Sequence, residues 1–385
     1  MPRRLNIALI GYKFMGKAHS NGFRQVAHFF PDVGVEPVMK VLCGRDAAGV
    51  KEAAEQLGWE ETATDWRQVV GRPDVDVVDI ATPSDTHHTI AIAAAKAGKH
   101  IICEKPLALT QADGQAMVDA VRQAGVKNMV AFNYRRVPAI AQARTMIREG
   151  RLGKIYHFRA NYLQDWIVDP EFPLVWRLQK EVAGQGTLGD LGAHIADLAR
   201  FLVGDVTEVV GLTQTFIKRR PKLASTTGGL GAAASQEMGD VTVDDAAAWI
   251  ARFEGGAMGT FEVTRFGTGN RNGEHIEVNG SDGSLRFNLE RLNELDYFSR
   301  KDEADVQGWR NVLITEGVHQ YANAWWPSGH IIGWEQTFTH EFYDFFRAIV
   351  EDRPASPSFE DGLKVNQILD AVEKSSETRS WQKVG

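Results

Sequence analysis

Apolar residues in the first third of the chain fall in short continuous runs: Leu5–Ile10, Val38–Cys43, Val75–Ala81, the stretch opening at His100 and ending before Glu104, and Met129–Asn133. Runs this short, without polar alternation and rich in Val and Ile, predict strands buried on both faces. The segments between them carry helical spacing: Lys17 toward Phe29, Ala47–Leu57, Asp65–Val70, a helix capped by Ser84 or Asp85 and ended by Gly98, and Gln111–Ala124. Strand and helix alternating in this way predict an α/β domain built on a doubly wound parallel sheet.

The pattern changes after Asn133-Tyr134-Arg135-Arg136. A helix is predicted over Ala139–Glu149, and Ile155–Leu163 then alternates as a half-buried strand does. Ala246–Phe253 and Ala257–Arg265 flank Glu254-Gly255-Gly256, and His275–Asn279 and Ser284–Asn288 flank Gly280-Ser-Asp-Gly283, two hairpin signals. Long strands joined this way predict a large, open, mostly antiparallel sheet. Leu188–Val203, Thr337–Val350 and Asp361–Ser376 have helical spacing, and Ser225–Val241, rich in Gly, Ala and Ser, is predicted to be a mobile loop. The expected organisation is a dinucleotide-binding domain over 1–132 and an α+β domain for substrate binding and oligomerisation over 133–385.

The 385 residues suffice for two domains with real cores. A net charge of -7, with both signs well mixed, argues against nucleic acid as the main partner. Only Cys43 and Cys103 are cysteines; both sit in apolar runs and read as buried thiols of a reducing compartment, with no zinc spacing and no metal expected. The start, Met-Pro-Arg-Arg, resembles an export signal, but Gly11 cuts the apolar run short, so a cytoplasmic protein without a membrane segment is expected.

Chemistry concentrates in a few places. Glu104-Lys105-Pro106 stops a buried strand, and a lysine at the carboxyl end of such a strand stands where open α/β sheets place ligands. Gly11-Tyr-Lys13-Phe14-Met15-Gly16 lies between a strand and a helix, the context of a dinucleotide fingerprint, although Lys13 replaces the middle glycine. Lys13 must point its side chain away or reach round to a phosphate. At the second strand, Gly44-Arg45-Asp46 stands where an acidic residue normally bonds the ribose; Arg45 suits a 2′-phosphate and Asp46 suits the ribose hydroxyls, which leaves NAD and NADP both open. Thr82, Pro83 and His87 follow the third strand of the buried runs and are candidate cofactor neighbours. His88 is expected in solvent. On Leu188–Val203, Leu191, Ile195, Leu198 and Leu202 form the apolar face, and Asp190, His194 and Asp197 the polar one. Oxidising an alcohol with a nicotinamide needs a hydride acceptor and a proton acceptor. Lys105 would stabilise the developing alkoxide, His194 would take the proton, and Asp190 would orient His194 or bond a second hydroxyl, without a metal.

Together Gly11–Gly16, Ala81-Thr82-Pro83 with His87, Glu104-Lys105-Pro106 and Gly189-Asp190-Leu-Gly-Ala-His194 resemble the glucose–fructose oxidoreductase / inositol dehydrogenase family over nearly the whole chain. The resemblance implies a Rossmann domain, a second domain with a large open sheet, a tightly held NAD or NADP, and dimers or tetramers packed through those sheets. It places catalysis on Lys105, Asp190 and His194, and it favours NAD.

Within the family, Tyr162-Leu-Gln164-Asp-Trp166, the Trp176-Arg177 stretch and Phe132-Asn133-Tyr-Arg135-Arg136 are similar to the sugar and anhydrosugar dehydrogenases. Aromatic faces beside Gln, Asn and Arg suit the C–H face and the hydroxyls of a sugar ring; Trp166 and Trp176 could equally be core aromatics. The expected activity is oxidation of a ring secondary hydroxyl, at C3 by resemblance, of an unphosphorylated pyranose, anhydrosugar or glycoside. A cyclitol dehydrogenase is the second reading. A non-catalytic NAD-sensing regulator is the third, disfavoured because Lys105 and His194 are both present.

Overall fold

The computed structural model describes residues 2–226 and 232–385. The chain forms two compact units, one of Met1–Asn133 with Trp334–Asn366, the other of Tyr134–Gly333 with Gln367–Gly385.

In the first unit, β1 (Arg3–Ile10), α1 (Phe14–Phe29), β2 (Val35–Cys43), α2 (Ala47–Leu57), β3 (Glu61–Ala63), α3 (Trp66–Val70), β4 (Val77–Ile80), α4 (His87–Lys96), β5 (His100–Cys103), α5 (Gln111–Ala124) and β6 (Asn128–Val130) alternate as the apolar runs predict. The six strands pair in the order β3-β2-β1-β4-β5-β6, all parallel. Every residue of β4 is buried, and β5 is buried past His100, which explains their continuous apolar character. Neither Ser84 nor Asp85 caps α4: a short 3₁₀ turn, Ser84–Thr86, precedes it, and Thr86 at the cap position makes no side-chain capping bond. The strand predicted over Met129–Asn133 stops at Val130, and Asn133–Arg136 is a 3₁₀ turn.

In the second unit, α6 (Pro138–Arg148), β7 (Ile155–Leu163), α7 (Lys180–Ala183) and α8 (Ala193–Leu202) lead into β8 (Val206–Gln214), β9 (Arg219–Thr226), β10 (Ala232–Asp240), β11 (Ala246–Phe253), β12 (Met258–Thr264), β13 (Gly273–Gly280), β14 (Gly283–Asn288), β15 (Glu294–Ser299) and β16 (Arg310–Leu313). Two helices, α9 (Gln336–Val350) and α10 (Phe359–Thr378), and a short β17 (Gln382–Lys383) complete the chain. A nine-stranded sheet runs β16-β15-β14-β13-β7-β12-β11-β8-β17 and is antiparallel except where β7 meets β12. Its inner face is set by alternation: Phe158, Ala160 and Tyr162, Ala247, Trp249 and Ala251, Phe261 and Val263, and Ile276 and Val278 are all buried.

The loop expected over Ser225–Val241 is mostly strand. Ala232–Asp240 pairs antiparallel with Arg219–Thr226 as a separate two-stranded ribbon. Small residues there lack the apolar alternation that marks a half-buried strand, so the pairing left no pattern to read. Residues 227–231, also part of that expectation, lie outside the described residues.

Helix α9 belongs to the first unit and lies against α1. Phe23 stacks on Phe342 at 4.0 Å between centroids, and a Cβ on Gly22 would come within 2.7 Å of the Phe342 ring. Glycine is therefore required at that crossing.

Candidate active site

The carboxyl edge of the parallel sheet collects the expected cofactor residues. Strands β1 and β4, where the strand order reverses, end at Gly11 and at Ala81-Thr82-Pro83; β2 ends at Gly44, and β5 at Glu104-Lys105. This is the edge where doubly wound sheets bind ligands. Gly11 has φ of 107°, and a Cβ there would collide with the Ala81 carbonyl oxygen; one on Gly16 would collide with the Gly11 carbonyl oxygen. Both glycines are thus demanded by the turn.

Lys13 occupies the N-cap of α1 without a side-chain capping bond, and its Nζ lies 4.9 Å from the Tyr12 ring centroid. The first-turn N–H groups, among them those of Phe14, Met15 and Gly16, receive no side-chain cap, which suits a pyrophosphate. The Tyr12 ring also accounts for Gly44, where a Cβ would collide with that ring. Arg45 is exposed, whereas both oxygens of Asp46 accept backbone N–H groups, from Ala48 at 3.2 Å and Gly49 at 3.1 Å, so Asp46 serves as the cap of α2. These residues fit a dinucleotide held through its phosphates at the start of α1.

Thr82 accepts from the Thr86 hydroxyl at 2.6 Å. His87, expected beside a cofactor, is completely buried, with its ring nitrogens 2.9 Å from the Pro106 carbonyl and 3.0 Å from the Thr82 carbonyl. It ties the loop after β4 to the loop after β5. Burial holds its pKa below the ordinary value, against the pull of those two carbonyls. Lys105 is half-buried, and its peptide N–H donates to Glu104 Oε2 at 3.1 Å. Phe14, 45% exposed, stacks on Trp334 at 5.6 Å and 7° between planes. Asn133 is buried and donates to Thr337 Oγ1 at 2.9 Å.

In the second unit, the inner face of the nine-stranded sheet turns polar at one end. Tyr162 on β7, Arg265 just past β12, and Asn272 and Glu274 at the start of β13 stand there, with Gln164 and Trp166 continuing the parity of β7. Tyr134 and Tyr162 share a hydroxyl–hydroxyl bond of 2.9 Å, Tyr162 donates to Asn272 Oδ1 at 2.7 Å, and Gln164 Nε2 donates to the same oxygen at 2.8 Å. Gln164 Oε1 accepts from the Trp166 indole at 2.9 Å. Trp166 packs against Phe172 and the small core of Ile167, Leu174, Leu178, Val241 and Val243, which fixes one edge of the indole while leaving it half-exposed.

His194 is nearly buried, its ring 4.5 Å from that of Tyr134 and 6.0 Å from that of Tyr162. Asp190 accepts from Arg265 Nη2 at 2.7 Å, and the guanidinium of that buried arginine lies 5.3 Å from the Trp166 ring centroid. Arg177 lies over Trp176 at 4.4 Å.

Two features differ from expectation. Leu188–Gly192 is a π-helical turn that gives way to α8, so Asp190 and His194 do not share the face of one regular helix. The wider turn is anchored by Asp244, whose carboxylate accepts from the Gly186 and Leu188 N–H groups at 2.8 and 2.7 Å. π-turns of this kind are frequent at functional sites. The polar face is also buried: Asp197 is 1% exposed and takes Arg135 in a forked pair, Nε to Oδ2 at 2.8 Å and Nη2 to Oδ1 at 2.6 Å. Arg135, expected to touch substrate, is occupied by that pair.

Arg265, Asn272 and Trp334 escaped the sequence reading. For the first two a signal existed: Arg265 continues the inward parity of Phe261 and Val263, and Asn272 that of Glu274, Ile276 and Val278. Among the described residues, no group of three or more His, Cys, Asp or Glu is placed to hold a metal ion, and no helix is long and apolar enough to cross a membrane.

Comparison with known proteins agrees with this architecture. Residues 5–132 match the model of an oxidoreductase family with an NAD-binding Rossmann fold, and residues 140–286 match the GFO/IDH/MocA C-terminal domain. The chain is 45% identical to levoglucosan dehydrogenase of Pseudarthrobacter phenanthrenivorans over 98% of each chain. Among solved structures it is similar to an oxidoreductase domain protein from Kribbella flavida (51% identity, TM-score 0.94, all of both chains). It is also similar to a levoglucosan dehydrogenase in complex with NADH and levoglucosan (44% identity, TM-score 0.94, 99% of this chain and 100% of that one). A glycine turn at the switch point of a parallel sheet, Glu104-Lys105-Pro106 at the next strand end, and a second unit built on one large, mostly antiparallel sheet make this chain an NAD-binding oxidoreductase of the GFO/IDH/MocA family.

Proposed function

We propose that the chain oxidises a ring secondary hydroxyl, at C3, of an unphosphorylated pyranose, anhydrosugar of the levoglucosan kind, or glycoside, yielding a ketone on an intact ring. The observation that carries the reading is the polar end of the inner sheet face. Gln164 is bonded to Asn272 and Asp190 to Arg265, and the two pairs meet at the Trp166 indole, an arrangement of hydroxyl partners beside an aromatic face. Likeness to a levoglucosan dehydrogenase along the whole chain supports the same substrate class.

Gly11, Lys13, Phe14, Met15 and Gly16 would hold NAD through its phosphates, with Gly44, Arg45, Thr82, Pro83, His87, Glu104 and Lys105 around or behind it. NAD, when bound, supplies the hydride acceptor. Lys105 stabilises negative charge on the reacting oxygen, and His194 accepts the hydroxyl proton. Asp190, fixed by Arg265, and Gln164, fixed by Asn272 and Trp166, hold neighbouring hydroxyls so that one C–H bond is presented. Tyr162, Asn133, Arg177 and Trp176 complete the proposed sugar contacts, Tyr162 lying edge-on to the His194 ring. The preference for NAD over NADP remains part of the proposal, with Arg45 as the residue that would favour NADP.

A spectrophotometric screen for NADH and NADPH formation over pyranoses, anhydrosugars, glycosides, inositols and sugar phosphates tests the substrate class. The best substrate is expected to be an unphosphorylated ring. Gln164→Ala is expected to lower kcat/KM for it by roughly tenfold or more, the scale of one lost hydroxyl partner, with the Kd for NADH unchanged. An open-chain or phosphorylated best substrate, or a variant as active as the parent, would refute the reading.

A further inference from the structure

His19 sits in the second turn of α1, just past the glycine turn, and none of it reaches solvent. Nothing in the proposed chemistry uses it. Its Nδ1 lies 2.8 Å from Asp79 Oδ2, in the middle of β4, and its Nε2 lies 3.1 Å from Glu104 Oε1, at the end of β5. An imidazole with a carboxylate at each nitrogen is satisfied on both sides only when both nitrogens carry protons. Burial alone would lower its pKa; the charges and hydrogen bonds of Asp79 and Glu104 outweigh burial and hold it well above the ordinary range. Phe338 and Phe342 pack on the ring at 5.4 Å each, one tilted and one edge-on, and shut out water.

The second oxygen of Glu104 accepts the peptide N–H of Lys105. A hydrogen-bonded line therefore runs from Asp79 through His19 and Glu104 to the backbone of Lys105. Pro106 has no N–H of its own, and its carbonyl is held from the other side by His87. The strand end that carries Lys105 is gripped at both flanks, by a histidine of the helix that starts at the glycine turn and by one of the helix that follows β4.

We propose that His19 is a positioning residue for Lys105, fixing the Glu104 carboxylate that in turn fixes the Lys105 backbone, and so ties the placement of the lysine to the helix that receives the cofactor. The proposal rests on the reading of Lys105 as the group that stabilises the reacting oxygen. A lysine side chain has four rotatable bonds, so a loose backbone beneath it multiplies the error at its ammonium, and a misplacement of about 1 Å costs roughly a hundredfold in rate. Without His19, two buried carboxyl groups would face each other with no cation between them, and Glu104 would no longer be aimed at the Lys105 N–H.

A double-mutant cycle of His19→Gln and Lys105→Ala tests this. It uses the full-length protein, NAD⁺ and the ring sugar that the parent oxidises fastest; kcat, the Kd for NADH and the thermal unfolding midpoint are measured for each form. Glutamine can reach one of the two carboxylates but not both. His19→Gln is expected to lower kcat at least tenfold with the Kd for NADH within threefold, and to add less than twofold on top of Lys105→Ala. Should His19→Gln not fold, Glu104→Gln, which keeps the shape and loses the charge, is expected to show the same non-additivity. A folded variant with kcat within twofold of the parent overturns the proposal. So does an equal fall in kcat in both backgrounds, or a loss of NADH affinity as large as the loss of turnover. Full turnover by Lys105→Ala alone would instead overturn the reading of Lys105, whatever His19→Gln does.

Discussion

Glu274 shows what burial does to a carboxyl group with no partner. It is fully enclosed, and neither of its oxygens has a hydrogen-bond partner among the described residues. Burial, and then the negative charge of Asp197, push its pKa from 4.5 up to about 8. The folded chain therefore keeps a proton there that the unfolded chain releases above pH 4.5. Stability from this group is complete below about pH 4.5, falls as pH rises to about 8, and falls no further once the folded form has also ionised. The difference is on the order of 5 kcal/mol, at about 1.36 kcal/mol per unit of pKa. Glu274→Gln has no proton to lose. Urea unfolding of both proteins between pH 5 and 9 is expected to show the variant gaining on the parent as pH rises; parallel curves would contradict the burial argument.

Lys105, Asp190 and His194 stand out at this scale because each belongs to a motif. Arg265 and Glu274 were not, although the signal was present. Phe261, Val263 and Arg265 alternate on one face, as do Glu274, Ile276 and Val278. A charge at an inward position of an otherwise apolar alternation marks a buried group: Arg265 is paired with Asp190, whereas the Glu274 oxygens have no hydrogen-bond partner among the described residues.

At the scale of elements, continuous apolar runs and strict alternation were read well, and elements defined by their partners were not. Strands β9 and β10 hold few large apolar side chains and pair mainly with each other. The π-turn at Leu188–Gly192 is set by Asp244 reaching back to the Gly186 and Leu188 N–H groups, from more than fifty residues along the chain, and no local spacing encodes that. The Arg135–Asp197 pair has the same character: helical spacing marks Asp197 as lying on the polar face, while the arginine that pairs with it stands on another element. Removing one partner of such a pair typically costs about 3–5 kcal/mol, because the other charge stays buried alone. Arg135→Met is expected to lower the urea midpoint of unfolding accordingly, while the KM for sugar of the folded enzyme stays near that of the parent. Unchanged stability with a raised KM would return Arg135 to the substrate contacts.

At the scale of the whole molecule, the outer face of the nine-stranded sheet bears on assembly. Leu212, Ile250 and Met258 are 58%, 40% and 42% exposed there, between the charged side chains of Arg159, Arg252 and Glu262. An antiparallel sheet that leaves apolar residues on its outer face offers a surface for a second copy. Light scattering at micromolar concentration is expected to give at least twice the mass of one chain; a monomer would contradict this, and Leu212→Lys with Ile250→Lys is expected to shift the distribution toward monomer. What sequence patterning could not convey at this scale is the return of Trp334–Asn366 to the first unit, where α9 lies on α1: periodicity marks which face of a helix is buried, not which distant element buries it. The central claim, that a ring carbon gives its hydride to NAD, is tested most directly by supplying levoglucosan deuterated at C3 together with NAD⁺ and analysing both products by mass spectrometry. The account predicts deuterium in the reduced nicotinamide and an unlabelled ketone on an intact ring; a product that keeps its deuterium, or no reduced nicotinamide at all, would contradict it.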